Sequence, residues 1–160
     1  MTAVRQVFDR LSPRSRELRF LTAKPRLTAA DLDSLTDVDG HDRVALVARE
    51  GDGRPIGIAR FVRDHADPRS AEAAVTVVDR WQGRGVGTQL ARALVDRAHD
   101  LGITRFSVSI AHDNDAAARL LHGVANDVTR VGWDSGSMDF EVSFADGRRG
   151  RHTVLKGDEA

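Results

Sequence analysis

The chain has no cysteine and no tyrosine, only two lysines (Lys24 and Lys156) among its 24 basic residues, and no excess of either charge over its 160 residues. Without cysteine there is no disulfide framework, no thiolate nucleophile and no cysteine-ligated zinc. The balance of 24 basic against 24 acidic side chains argues against a general nucleic-acid surface, which needs clustered positive charge. No apolar run approaches the ~20 residues of a membrane span. The start, Met1-Thr-Ala-Val-Arg-Gln, also has no apolar signal core. A cytoplasmic domain without membrane attachment is the expectation. The six histidines include no pair at metal-ligand spacing with a carboxylate between, so no metal site is expected. The dominance of arginine over lysine reads as a GC-rich genome rather than as a binding site. What is present, 41% apolar and 30% charged residues, suits one globular domain burying roughly 68–70% of its unfolded surface.

Three short helices open the chain. Val4, Val7, Phe8 and Leu11 recur at helical spacing, Ser12-Pro13 supplies a cap followed by proline at the first helical position, and Thr28 caps a third helix over 29–35. The period then changes: 44–48 and 55–62 predict a hairpin around Glu50-Gly-Asp-Gly53, and 71–78 a third strand. Val86, Leu90, Leu94, Ala98 and Leu101 mark one face of a long helix ending at Gly102. A strand over 103–111, a helix from Asn114 to His122 and a closing hairpin (128–131 with 138–144) complete a single domain over residues 1–144. Residues 145–160 read as a mobile tail. This order predicts an α/β (α+β) sandwich on a mixed sheet.

The most informative segment is Asp79-Arg-Trp-Gln-Gly-Arg-Gly-Val-Gly-Thr88, where a strand passes into a helix through Gly83, Gly85 and Gly87. Glycines there let backbone N–H groups approach an anion that a Cβ would exclude, and the helix start adds its partial positive charge. No Lys-Ser/Thr follows, so it is no Walker loop, and the G-x-G-x-G spacing is not the dinucleotide fingerprint. A tight turn without ligand is the alternative. Gln82 and Arg84, interleaved with the glycines, weigh toward phosphate by adding side-chain donors.

Gln82-Gly-Arg-Gly-Val-Gly87 resembles the Q/R-x-x-G-x-G/A signature of the GNAT acyltransferases. Leu11-Ser-Pro-Arg-Ser-Arg-Glu-Leu-Arg-Phe20 and Asp39-Gly-His-Asp-Arg-Val44 are similar to the branch of bacterial Pat-type protein-lysine acetyltransferases. The resemblance implies a mostly antiparallel sheet, flanked by helices, with a V-shaped splay between 71–78 and 103–111. It implies acetyl-CoA as cosubstrate, its pantetheine arm beside Val77 and Val78. Its pyrophosphate would rest on the N–H groups of Gln82, Gly83, Arg84, Gly85, Val86, Gly87 and Thr88. Asn114 is expected to cap its helix, to bond the pantetheine or an ordered water, or both. The fold's usual first strand is missing, so the sheet lacks an edge, begins upstream, or borrows an edge from a partner in a homodimer.

Acetyl transfer needs a neutral amine, and a lysine of pKa near 10.4 is neutral in only about one part in 2,500 at pH 7, a deficit of roughly 4–5 kcal/mol. A positioned base relieves it. Of the five glutamates, Glu72 alone lies in the small apolar run leading to the glycine turn, and in the resembled branch a Glu at this position is the general base. Partial burial among alanines is expected to raise its pKa. The family's usual acid, a Tyr about seven residues after the Asn, is absent: the count reaches Leu121. His112, His122, Ser109 or a water are the substitutes. Asp31, Asp33, Asp37, Asp39 and Asp42 in the early loops read either as a solvated face or as an attraction for a cationic amine. The resulting expectation is an N-acetyltransferase acting on a primary amine, in a protein lysine or a small molecule. The alternative is a catalytically weak acyl-CoA-binding regulatory module.

Overall fold

The computed structural model describes residues 2–144, so the expected tail over 145–160 lies outside the described residues. Three capped helices come first: α1 (Ala3–Asp9), α2 (Pro13–Phe20) and α3 (Ala29–Thr36). Each cap is a side-chain oxygen accepting a backbone N–H that the first turn leaves without a partner: Thr2 for Arg5, Ser12 for Ser15, Thr28 for Asp31. At Thr28 the Asp31 carboxylate accepts from the Thr28 N–H in return, closing a capping box.

Six strands follow, β1 (Arg43–Arg49), β2 (Pro55–Arg63), β3 (Ser70–Val77), β4 (Arg105–Ala111), β5 (Asp127–Trp133) and β6 (Ser137–Ser143), in the order β1-β2-β3-β4-β6-β5. Only β3 and β4 run parallel. The expected mixed, mostly antiparallel sheet is therefore present. No strand precedes β1 among the described residues, and β1 forms one edge. Helices α4 (Val86–Asp100) and α5 (Asp115–Val124) complete the order.

The strand period of two decides the layers. Ala59 and Phe61 of β2 and Ala71 and Ala73 of β3 face α4, whose Leu90, Leu94 and Ala98 are buried against them. Gly57 lets this helix come close, since a Cβ there would lie 2.9 Å from Leu90 Cδ1 and 3.0 Å from the Thr76 carbonyl oxygen. Phe61, Phe106 and Phe144 stack in sequence across the core, with centroids 5.8 and 4.8 Å apart. Ile58 and Arg60 take the other face, toward α1–α3.

The register contains the opening on which the site depends. β2 and β3 pair from Gly57–Val77 through Arg63–Ala71, but β3 and β4 pair only at Ser70–Arg105, Ala71–Phe106 and Glu72–Ser107. Beyond Glu72 the two parallel strands part, which is the expected splay.

Candidate active site

At the end of β3 the Val78 N–H donates to the Ile56 carbonyl (2.9 Å), and the Val78 carbonyl accepts from the Trp81 N–H (2.8 Å). Both backbone groups of Val78 are thus occupied, and its N–H points to β2, away from the splay. Hydrogen-bonded pairs alternate along an antiparallel ladder, so Ala73, Val75 and Val77 turn their backbone groups toward the opening. Of Val77 and Val78, expected beside the pantetheine arm, only Val77 turns toward the splay; its partner on that edge is Val75, which a run of apolar residues cannot reveal.

A short 3-10 turn (Asp79–Trp81) then leads to the glycines. Gly83 (φ 70°) and Gly85 (φ 83°) adopt the left-handed conformation, and a Cβ at either would meet nothing within 4 Å. Their requirement is conformational. Gly85 caps α4 with no side-chain bond, and the first backbone hydrogen bond of the helix runs from the Gln89 N–H to the Gly85 carbonyl (3.0 Å). The N–H groups of residues 83–88 donate to no described residue. Six consecutive donors at a helix start, where the dipole is positive, are therefore left without an acceptor among the described residues. Gly87 is different: it is helical, and a Cβ there would sit 3.7 Å from Val77 Cγ2 and 3.8 Å from Leu120 Cδ2, ordinary contacts. Neither backbone nor packing demands glycine at 87.

Gln82 faces inward. Its side-chain amide donates to the Val77 carbonyl (2.9 Å), Asp79 Oδ1 (3.2 Å) and Ser15 Oγ (3.3 Å), and its N–H to the Asp79 carbonyl (3.1 Å). The side-chain donor expected of it at the cradle is engaged in holding the turn. Arg84 is exposed, its guanidinium 5.2 Å from the Trp81 ring centroid, and Trp81 packs beside the turn. Asp79 was not anticipated at all. Its carboxylate accepts from the Ser12 N–H (2.6 Å), from the Ser12 hydroxyl (3.4 Å) and, closely, from the Ser15 hydroxyl. One carboxylate therefore binds the start of α2 to the glycine turn.

A groove of about 650 Å³ runs along the splay, lined by β3, β4, the glycine turn, α2, α4 and α5. Asn114 lines it while its Oδ1 caps α5 by accepting the Ala117 N–H (3.2 Å). Glu72 lies at the closed end of the splay, in the row Val62–Glu72–Ser107. Ala71 and Ala73 are buried on the opposite face whereas Glu72 is exposed, so the expected burial among alanines does not occur. The groove's charged lining is Glu72, Arg19 and Arg119. Burial, and then repulsion by Arg60, pushes the Arg19 guanidinium down to about 10, with Glu72 pulling it back up. Burial likewise lowers Arg60.

The substitutes for the absent tyrosine separate. The Ser109 hydroxyl lines the groove and donates to Asp139 Oδ1 (2.5 Å). His112 Nε2 meets the Asp134 and Ser137 carbonyl oxygens at 2.9 and 3.1 Å, and neither it nor His122 lines the groove. The early aspartates do not line it either. Asp31 is bound by Lys24 (2.8 Å), Asp42 by Arg63 (2.8 Å) and Asp37 by Arg43 (3.3 Å), while Asp39 accepts three backbone N–H groups. Four of the five carboxylates brace loops, and none of the five lines the groove.

A sheet splayed at parallel strands, with an amide cradle at the next helix start, defines an acyltransferase-like architecture. The model of the acetyltransferase (GNAT) family matches residues 6–123, and the chain belongs to that family. It is 40% identical over 95 residues to acetyltransferase Pat of Mycolicibacterium smegmatis, a match covering 59% of this chain and 28% of that protein. The GNAT domain of S. lividans PAT superposes with a TM-score of 0.80 at 28% identity, over 89% of this chain and 84% of that one. A phosphinothricin acetyltransferase (Pat) from Sinorhizobium meliloti, solved in complex with AcCoA, shares the fold with a TM-score of 0.71 at 16% identity, over 100% and 91% of the two chains. The chain spans 28%, 59% and 42% of the length of three curated relatives that it matches.

Proposed function

We propose that the protein is an acetyl-CoA-dependent N-acetyltransferase acting on a primary amine, with Glu72 as general base. The observation that carries this reading is the run of six free amides from Gly83 to Thr88 beside the splay. A pyrophosphate supplies the acceptors these donors lack. Gly87 fits the same purpose, since a Cβ on that surface would stand between the amides and an approaching anion. Val75 and the Val77 N–H offer backbone groups along the opening for the amides of a pantetheine arm, the Asn114 side-chain amide lies on the same groove, and Gln82 and Asp79 hold the cradle in shape.

Acetyl-CoA supplies the thioester carbonyl. Glu72, at the closed end of the splay, accepts the proton of the incoming ammonium directly or through water, relieving the roughly 4–5 kcal/mol deficit in neutral amine. Its exposure leaves room for that water. A thiol leaving group, with a pKa near ~8.5, can depart as thiolate without a tyrosine. Ser109 is the one side chain among the substitutes that lines the groove, and its hydroxyl already donates to Asp139 Oδ1 (2.5 Å), so no acid is assigned.

Calorimetric titration with acetyl-CoA, followed by thiol release over a panel of amines, tests the proposal. Glu72→Gln should leave acetyl-CoA affinity within about twofold and lower kcat by about 10²–10⁴. Tight binding with no thiol release from any amine would favour the acyl-CoA-binding module, to which the leucine at position 121 already gives some support. No binding would defeat both.

A further inference from the structure

The groove contains a charge for which acetyl transfer to a simple amine has no use. Arg19 lines it together with Glu72, and it also lines an adjoining cavity of about 40 Å³ whose other polar lining is Arg60 and Thr76. Arg60 stands opposite Ala74 in the register and so shares a sheet face with Glu72 and Thr76. Arg60 has a partner, the Ser34 carbonyl at 3.4 Å. Arg19 is half-buried with its guanidinium 5.0 Å from the Phe20 ring centroid, yet it donates to no described residue and forms no ion pair with one. A guanidinium carries five donors in a planar fork.

A half-buried cation with unused donors and a second cation behind it is unfavourable in isolation. It becomes favourable when a planar anion enters and accepts two of those donors. The lowered Arg19 pKa reflects the same crowding, and at about 10 the group is still charged at neutral pH. A diamine would bring two positive charges toward Arg19 and only Glu72 to meet them. An amino carboxylate would place its ammonium at Glu72 and its carboxylate at Arg19, matching both.

We propose that Arg19, backed by Arg60, receives a carboxylate carried by the acceptor, so that the groove selects small amino carboxylates over diamines. This rests on the acetyltransferase reading and narrows its acceptor. Lysine and cadaverine share a chain and a terminal amine and differ by one carboxylate. Titrated into the CoA-loaded protein, lysine should bind about tenfold or more tighter than cadaverine, the range of a charge-assisted pair, and kcat/KM should follow the same ratio. Arg19→Gln should bring the ratio close to one with acetyl-CoA affinity retained, and Arg19→Lys should keep part of it. Equal binding of the two amines by the wild-type protein, or a ratio unchanged in Arg19→Gln, would overturn the proposal. A lysine preference in binding without thiol release from any amine would leave the carboxylate site standing and remove the transferase reading instead.

Discussion

Gly85 and Gly87 lie two residues apart on the same cradle and answer to different constraints. At Gly85 the backbone is left-handed with open space around it, so Gly85→Ala should cost about 1–2 kcal/mol of stability through conformation alone. At Gly87 the helix tolerates alanine, and Gly87→Ala should leave stability equal or raise it by about 0.5–1 kcal/mol while weakening acetyl-CoA at least tenfold. Denaturant unfolding and calorimetry on the two variants separate the effects. A Gly87→Ala protein that binds as wild type would show that nothing needs to approach that surface. The aspartates of the early loops contribute to acid behaviour. The Lys24 ammonium, then the Thr28 amide and hydroxyl, hold Asp31 at about 2, and the amides of Arg43, His41 and Asp42 hold Asp39 at about 2, against an ordinary 3.8. A carboxyl lowered in the folded state contributes stability above its unfolded pKa, and the contribution is lost as pH falls through the folded value. The melting temperature should therefore drop between pH 4 and pH 2, and Asp31→Asn should flatten part of that slope.

Between elements, Asp79 is the tie that reaches the glycine turn. It joins the cap of α2 to the turn before α4, and α2 carries Arg19 to the groove. Hydrogen bonds to a charged group contribute about 1.5–3 kcal/mol, so Asp79→Asn should lower stability by about that much in denaturant unfolding and weaken acetyl-CoA together with it. The local signals around this tie were legible in the sequence. Ser12, Thr28 and Asn114 announced caps, the glycines announced the turn, and the change of period at Arg43 announced the sheet. What could not be read were facts set by register and packing. Whether Val75 or Val78 faces the splay depends on which residue opposes Gly57. The exposure of Glu72 depends on Ala71 and Ala73 taking the α4 side. Arg19 and Arg60 share a cavity only because α2 packs on β3 beside the part of β2 that α1 covers, and Asp79 finds its partners 64 and 67 residues away.

At the scale of the whole molecule, one strand pair abandons its ladder after Glu72, and the proposed site gathers at the resulting gap. The sheet and α4 form a close-packed core on one side. The groove opens where the backbone of β3 has lost its neighbour, and the cradle sits where β3 passes into the helix packed on it. No helix among the described residues is long and apolar enough to cross a membrane. The central claim is that the amides of 83–88 hold a diphosphate, and amide-resolved NMR tests it most directly. Titrating ¹⁵N-labelled protein with CoA and, separately, with pantetheine should move the 83–88 amide resonances strongly with CoA and weakly with pantetheine, which lacks the diphosphate. Saturation by CoA with those six resonances unmoved would contradict the claim.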